Sequence, residues 1–150
     1  MQFASTPRCV SHVRTQVENT LHEWGYAQND IDIAVLVASE LATNAVVHGH
    51  FPGRPIEVGL AASDETCLVE VSDSSPRPPE AQTATADDES GRGLQLVKAL
   101  AAQTGQRPRR SVGKTVWARL RMAKRQGCTA PAPQRHATGR CTNAAEGQAP

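Results

Sequence analysis

Glu40, Asn44 and His48 recur every four residues in the stretch Glu40-Leu-Ala-Thr-Asn44-Ala-Val-Val-His48-Gly49. In an α-helix each such step turns only about 40° round the axis, so a carboxylate, a carboxamide and an imidazole line one edge. The apolar residues Ile33, Val37, Leu41 and Ala45 repeat with the same period beside them, which marks the adjoining stripe as core-facing. An unpaired carboxylate next to a core costs several kcal/mol of desolvation. Something polar must therefore meet this edge: solvent, a ligand or a metal ion. Taken alone, a helix whose polar edge is merely wet explains the pattern better.

Two further places carry groups suited to chemistry. The run Thr66 to Asp73 alternates Cys67, Val69 and Val71 on one face, and strand parity puts Asp73 on that same inward face at the strand's end. An inward carboxylate needs a partner, although aspartate also opens turns such as Asp73-Ser74-Ser75-Pro76 through local hydrogen bonds. Gly91-Arg92-Gly93 precedes Leu94, Val97 and Leu100 in helical period. A glycine-rich turn feeding a helix N-terminus exposes backbone N–H groups at the positive end of the dipole, an arrangement suited to phosphate; a plain turn has the same sequence. Gly113-Lys114-Thr115 resembles the end of a P-loop, but Pro108 stands where the earlier glycine is required and a β-patterned run follows. That reading fails.

The elements that must position these groups follow from pattern. Thr6-Pro7 is placed to cap and open a first helix, whose stripe Val10, Val13, Val17, Leu21 and Trp24 closes near Gly25. Asn29 and Asp30 are placed to cap the second helix, which ends at His48-Gly49 ahead of Pro52 and Gly53. Ile56 to Ala62 and Thr66 to Asp73 read as two antiparallel strands around Ser63-Asp64-Glu65. Ser74 to Ser90 has three prolines and an acidic run but no large apolar residue, the composition of a lid or a disordered loop. Gln106 to Ser111 and Thr115 to Arg121 form a final hairpin, with Val116, Ala118 and Leu120 alternating against Trp117 and Arg119.

Composition bounds the class. The 150 residues fit one domain with a real core, assigned to 1–122, and a disordered, mildly basic tail at 123–150 that contains no Val, Ile, Leu or aromatic residue. A net charge of +1 and 3% aromatic residues argue against direct nucleic-acid binding. No signal-peptide pattern is present and no apolar run approaches a bilayer's thickness, so a cytoplasmic location is expected. Cys9, Cys67, Cys128 and Cys141 lack metal-ligand spacing and are expected as free thiols.

The order of these pieces resembles the GHKL ATPase superfamily. Glu40 to Gly49 resembles its N box, Asp73-Ser-Ser-Pro76 the first glycine box, Gly91-Arg-Gly-Leu94 the second, and Gly113-Lys-Thr115 the last. The resemblance covers about Val10 to Leu120. It implies an α/β chain in the α+β sense: a two-layer sandwich of the Bergerat fold, with a mixed, mostly antiparallel sheet, helices on one face, and ATP between the layers. Within the superfamily the chain most resembles small anti-sigma-factor serine/threonine kinases of actinobacterial type. That implies Mg2+ and ATP as cofactors, with a sigma factor and an anti-sigma-factor antagonist as protein partners; a homodimer is allowed. Carried over, Asn44 is the metal ligand and Glu40 the catalytic base. Asp73 is the acceptor for adenine, Thr115 lies near it, and His48, Gly91, Arg92, Gly93 and Leu94 complete the nucleotide site. The family's Asp-x-Gly is here Asp73-Ser74-Ser75, so a second reading stays open, a non-catalytic nucleotide-gated interaction module.

Overall fold

A stripe of Cys9, Val13, Val17 and Leu21, each within 3% of full burial, winds the first helix, α1 (Cys9–Glu23), against the second, α2 (Gln28–His48). The computed structural model describes residues 1–49, 54–63, 65–75, 89–110 and 112–123. Residues 76–88 of the expected lid (Ser74 to Ser90), Pro52 and Gly53, Asp64, Ser111, the tail from 124 onward, Cys128 and Cys141 all lie outside these residues. In chain order the elements are β1 (Gln2–Phe3), α1, α2, β2 (Ile56–Ala62), β3 (Thr66–Ser72), α3 (Glu89–Leu100), β4 (Gln103–Pro108) and β5 (Lys114–Arg121).

The strands form one sheet in the order β1-β2-β3-β5-β4. Each pairing among the described residues is antiparallel, in keeping with the mostly antiparallel sheet expected. Val58 opposite Val71, Val69 opposite Ala118 and Cys67 opposite Leu120 place one buried row on the helix side. The opposite face carries polar pairs, among them Arg107–Glu70 at 2.8 Å and Arg109–Glu57 at 2.6 Å. This is the α+β two-layer arrangement implied by the resemblance: helices on one face, an open sheet face on the other.

α2 is the central element, touching α1, α3 and the inner strands. Its buried residues Ile31, Ala34, Val35, Val37, Ala38, Leu41, Ala42, Ala45 and Val46 reach round most of its circumference, because neighbours cover it on several sides. Its 21 residues are long and apolar enough by composition to cross a membrane, contrary to the sequence expectation, yet it serves as the core helix of the fold.

Several boundaries differ from those read in sequence. The N-cap of α1 is Arg8 and that of α2 is Ala27, and neither makes a side-chain capping bond. Thr6 instead accepts the Cys9 N–H at its carbonyl, at 2.9 Å. Asn29 and Asp30 lie inside the first turn of α2, where the Asp30 charge complements the dipole. The C-terminus of α1 falls as expected: Gly25 at φ 77° donates to His22 O at 3.0 Å and Tyr26 donates to Leu21 O at 3.2 Å, the paired bonds of a Schellman motif. β4 begins three residues earlier than the pattern indicates, because Gln103 pairs with Arg119 and its edge position leaves it exposed with no alternation to detect. β1 has no counterpart among the expected elements. It is two residues long, held where the Met1 ammonium donates to Val58 O at 2.9 Å and Val58 N–H donates to Met1 O at 2.8 Å.

Candidate functional site

The edge of α2 is brought against two different neighbours. Near its middle, Glu40 is half-buried and its Oε2 occupies the space that a Cβ on Gly93 would fill. Glycine at 93 thus lets the Glu40 carboxylate lie directly on the backbone of α3. Gly91 and Gly93 are themselves helical, since α3 starts at Glu89, so the expected turn ahead of the helix is instead its first two turns. The N–H of Gly91 falls among the first-turn donors that have no intrahelical acceptor, whereas that of Gly93 falls beyond them. Arg92 is exposed and Leu94 is half-buried against the core.

One turn on from Glu40, Asn44 presents a buried Nδ2 that has no hydrogen-bond partner among the described residues. A buried amide donor left unpaired costs about 1–3 kcal/mol, so this atom marks a place where a polar ligand group would be stabilised. His48 is exposed in the last turn of α2.

At the C-terminus of α2 the second neighbour is the end of β3. Asp73 is 2% exposed, as its strand parity required, and both of its oxygens are engaged. Oδ1 accepts the Ser75 backbone N–H at 3.0 Å, and Oδ2 pairs with Lys114 Nζ at 3.0 Å. Gly49, the C-cap of α2, has its Cα packed so closely on the Asp73 side chain that a Cβ there would overlap it. Gly113, at φ 112°, is pressed in the same way on the Asp73 carbonyl, and the Asp73 N–H donates to Lys114 O at 3.0 Å.

Thr115 is not brought into this group by its side chain. Ser72 pairs with Thr115 across β3 and β5, and their hydroxyls share a 2.7 Å hydrogen bond on the face opposite Val71 and Val116. Parity then turns Lys114 inward beside Asp73. The resemblance singles out Gly113-Lys114-Thr115 and assigns Thr115; the signal for Lys114 is the alternation of Val116, Ala118 and Leu120, which counted back two residues reaches 114.

Glu40 and Gly49 are nine residues apart, about 13 Å along the helix axis, and Asn44 lies between them. An extended ligand with a polar base at one end and anionic groups at the other spans such a distance. Among the described residues no group of three or more His, Cys, Asp and Glu side chains could hold a metal ion by itself. The two described cysteines, Cys9 and Cys67, are free and buried. Burial pushes the Cys67 thiol up to about 12 and raises that of Cys9 as well.

A solved structure of the RsbU and RsbW domains of Rv1364c from Mycobacterium tuberculosis matches over 83% of this chain with a TM-score of 0.60 and 23% identity. This chain spans 32% of the length of that one, so the likeness is one of fold. The histidine kinase domain of the blue-light activated histidine kinase EL346 from Erythrobacter litoralis matches over 61% of this chain and 44% of its own, at 27% identity and a TM-score of 0.44. No curated protein sequence matches. The model of the histidine kinase-like ATPase domain matches residues 3–120, and the chain belongs to that family.

Proposed function

We propose that this protein binds Mg-ATP along α2 and acts as a regulatory serine/threonine kinase, binding a sigma factor and phosphorylating its protein antagonist. The observation that carries the nucleotide part is the buried amide of Asn44, unpartnered among the described residues and set one turn from a carboxylate that a glycine admits to the neighbouring helix. That amide fits both halves of the ligand. Its oxygen is the hard donor magnesium prefers, alongside water and phosphate, and its N–H2 group suits a phosphate oxygen.

In this reading Asn44 holds the metal, which when bound offsets the negative charge of the phosphates. Gly91 offers a first-turn N–H, Gly93 brings the α3 backbone close, Arg92 adds a cation, and Leu94 anchors α3. His48 flanks the site at the helix end. Glu40 accepts the proton of the attacking hydroxyl and orients it, and Asp73 accepts the amino group of the base. The anti-sigma role rests on the resemblance of the four motifs and on the RsbW domain named in the matched structure.

One observation favours a second reading. Asp73 already carries an ion pair with Lys114, which weakens its hold on a base and suits a nucleotide-gated interaction module without transfer. Two substitutions separate these cases. Asn44→Ala should lower the magnesium-dependent part of ATP affinity and reduce transfer as a consequence. Glu40→Ala should leave ATP binding intact while transfer falls by about 10² to 10⁴. Calorimetry with and without magnesium, alongside phosphate transfer to antagonist domains, reads both. Equal loss of binding in the two variants would sink the division of roles, no effect in either would sink the site, and binding without transfer in the unmodified protein would select the module.

A further inference from the structure

Among the described residues, three of the groups set against Asp73 are backbone. The Gly49 Cα covers its side chain, the Ser75 N–H holds Oδ1, and the Gly113 Cα closes on its carbonyl. Gly49 and Gly113 cannot withdraw without moving the end of α2 or the start of β5. The exception is Lys114, whose ammonium holds Oδ2 at 3.0 Å from a side chain that is 18% exposed and has a flexible four-carbon stem leading to solvent. With 2% of Asp73 accessible, a base can reach Oδ2 only after that ammonium leaves.

We infer that Lys114 is an internal competitor for the base-reading carboxylate and sets how tightly, and which, nucleobase the site accepts. The proposal rests on the ATP-binding reading above. The ammonium is a cationic donor in the place a ligand's neutral amino group would take, so the ligand must replace one charge-assisted bond with a weaker one. Bases without an N–H donor on the edge facing Asp73 cannot make that exchange at all. Lys114 is thus a specificity-determining residue whose side chain swings outward when a nucleotide binds.

The test uses the full chain and ADP as the probe. Lys114→Met removes the ammonium and keeps the stem, and should tighten ADP binding by about tenfold or more, the worth of one charge-assisted hydrogen bond. Lys114→Arg keeps the cation and should bring no gain. In the Asp73→Asn background, Lys114→Met should bring no gain either, because there is no carboxylate left to release. Should Lys114→Met leave Asp73 too poorly satisfied to fold, Lys114→Gln retains a neutral donor and should shift affinity in the same direction. A separate reading comes from acylation of lysine amines followed by mass spectrometry: Lys114 should react slowly in the free protein and faster with ADP bound, a change a purely structural lysine would not show. Measurable ADP binding that Lys114→Met leaves unchanged or weakens overturns the proposal and leaves the nucleotide reading standing. A gain that persists in the Asp73→Asn background, or labelling of Lys114 indifferent to ADP, also overturns it. If neither the unmodified chain nor any variant binds ADP, the nucleotide reading falls and takes this proposal with it.

Discussion

Replacing glycine by alanine at two positions, Gly49 and Gly59, makes the same chemical change in opposite surroundings. At Gly49 the backbone sits at φ −103° and ψ 4°, a conformation alanine accepts, so no strain arises from the dihedrals. What resists is Asp73, whose Cβ, Cγ and Oδ2 all lie where the new methyl must go. The Cβ cannot rotate away, since it is fixed by a backbone whose N–H bonds Lys114 O, and the carboxylate is pinned by Ser75 and Lys114. Overpacking of this kind costs about 1–3 kcal/mol, offset by about 0.4–1 kcal/mol from the less flexible unfolded chain. The net loss is about 1–2 kcal/mol, or roughly 3–10 °C in Tm for a domain of this size. At Gly59 the added methyl meets only Glu70 Cβ and Oε2, both at 3.7 Å. There the entropic gain acts alone, so Gly59→Ala should match the unmodified protein or exceed it by up to about 1 kcal/mol. Thermal unfolding of the three proteins, followed by circular dichroism, reads the difference. Gly49→Ala melting at or above Gly59→Ala would refute the close packing of α2 on Asp73 and, with it, the enclosed state of that carboxylate.

Two other perturbations probe different parts of the structure. Gly93→Ala displaces only the far end of the flexible Glu40 side chain while gaining about 0.5–1 kcal/mol of helix propensity; melting should hold or rise while phosphate transfer falls toward the Glu40→Ala level, and full transfer in this variant would show that the Glu40 position is not needed. Cys67, with its thiol raised from 9.0 to about 12 by burial, binds its proton more tightly in the folded state, so its contribution is complete below about pH 9 and is lost as pH rises toward 12. Denaturant unfolding across that window should show stability falling at up to about 1.4 kcal/mol per pH unit for this group, with a flatter profile in Cys67→Ala; identical slopes would contradict the burial of the thiol.

Whatever depends on local period can be read from the residues directly. The 3.6-residue repeat locates α1 and α2 and puts Glu40, Asn44 and His48 along one edge. The two-residue repeat marks β2 and β3 nearly residue for residue and turns Asp73 inward, and Gly25 marks the end of α1. The order of four short motifs is enough to suggest the family that the match over residues 3–120 shows. Which groups meet is a matter of packing between elements. The partner of Asp73 is Lys114 because two strands distant in sequence align Ser72 with Thr115, and a register shift of one residue would have exchanged Lys114 for its neighbour. Gly49 and Gly93 are set apart from Gly59 by the closeness of Asp73 and Glu40, a contact that no spacing within either element encodes. β1 and the start of β4 are likewise invisible in the residues, since edge strands of two and six residues take their shape from backbone pairing with a neighbour and carry no buried face whose alternation could be read.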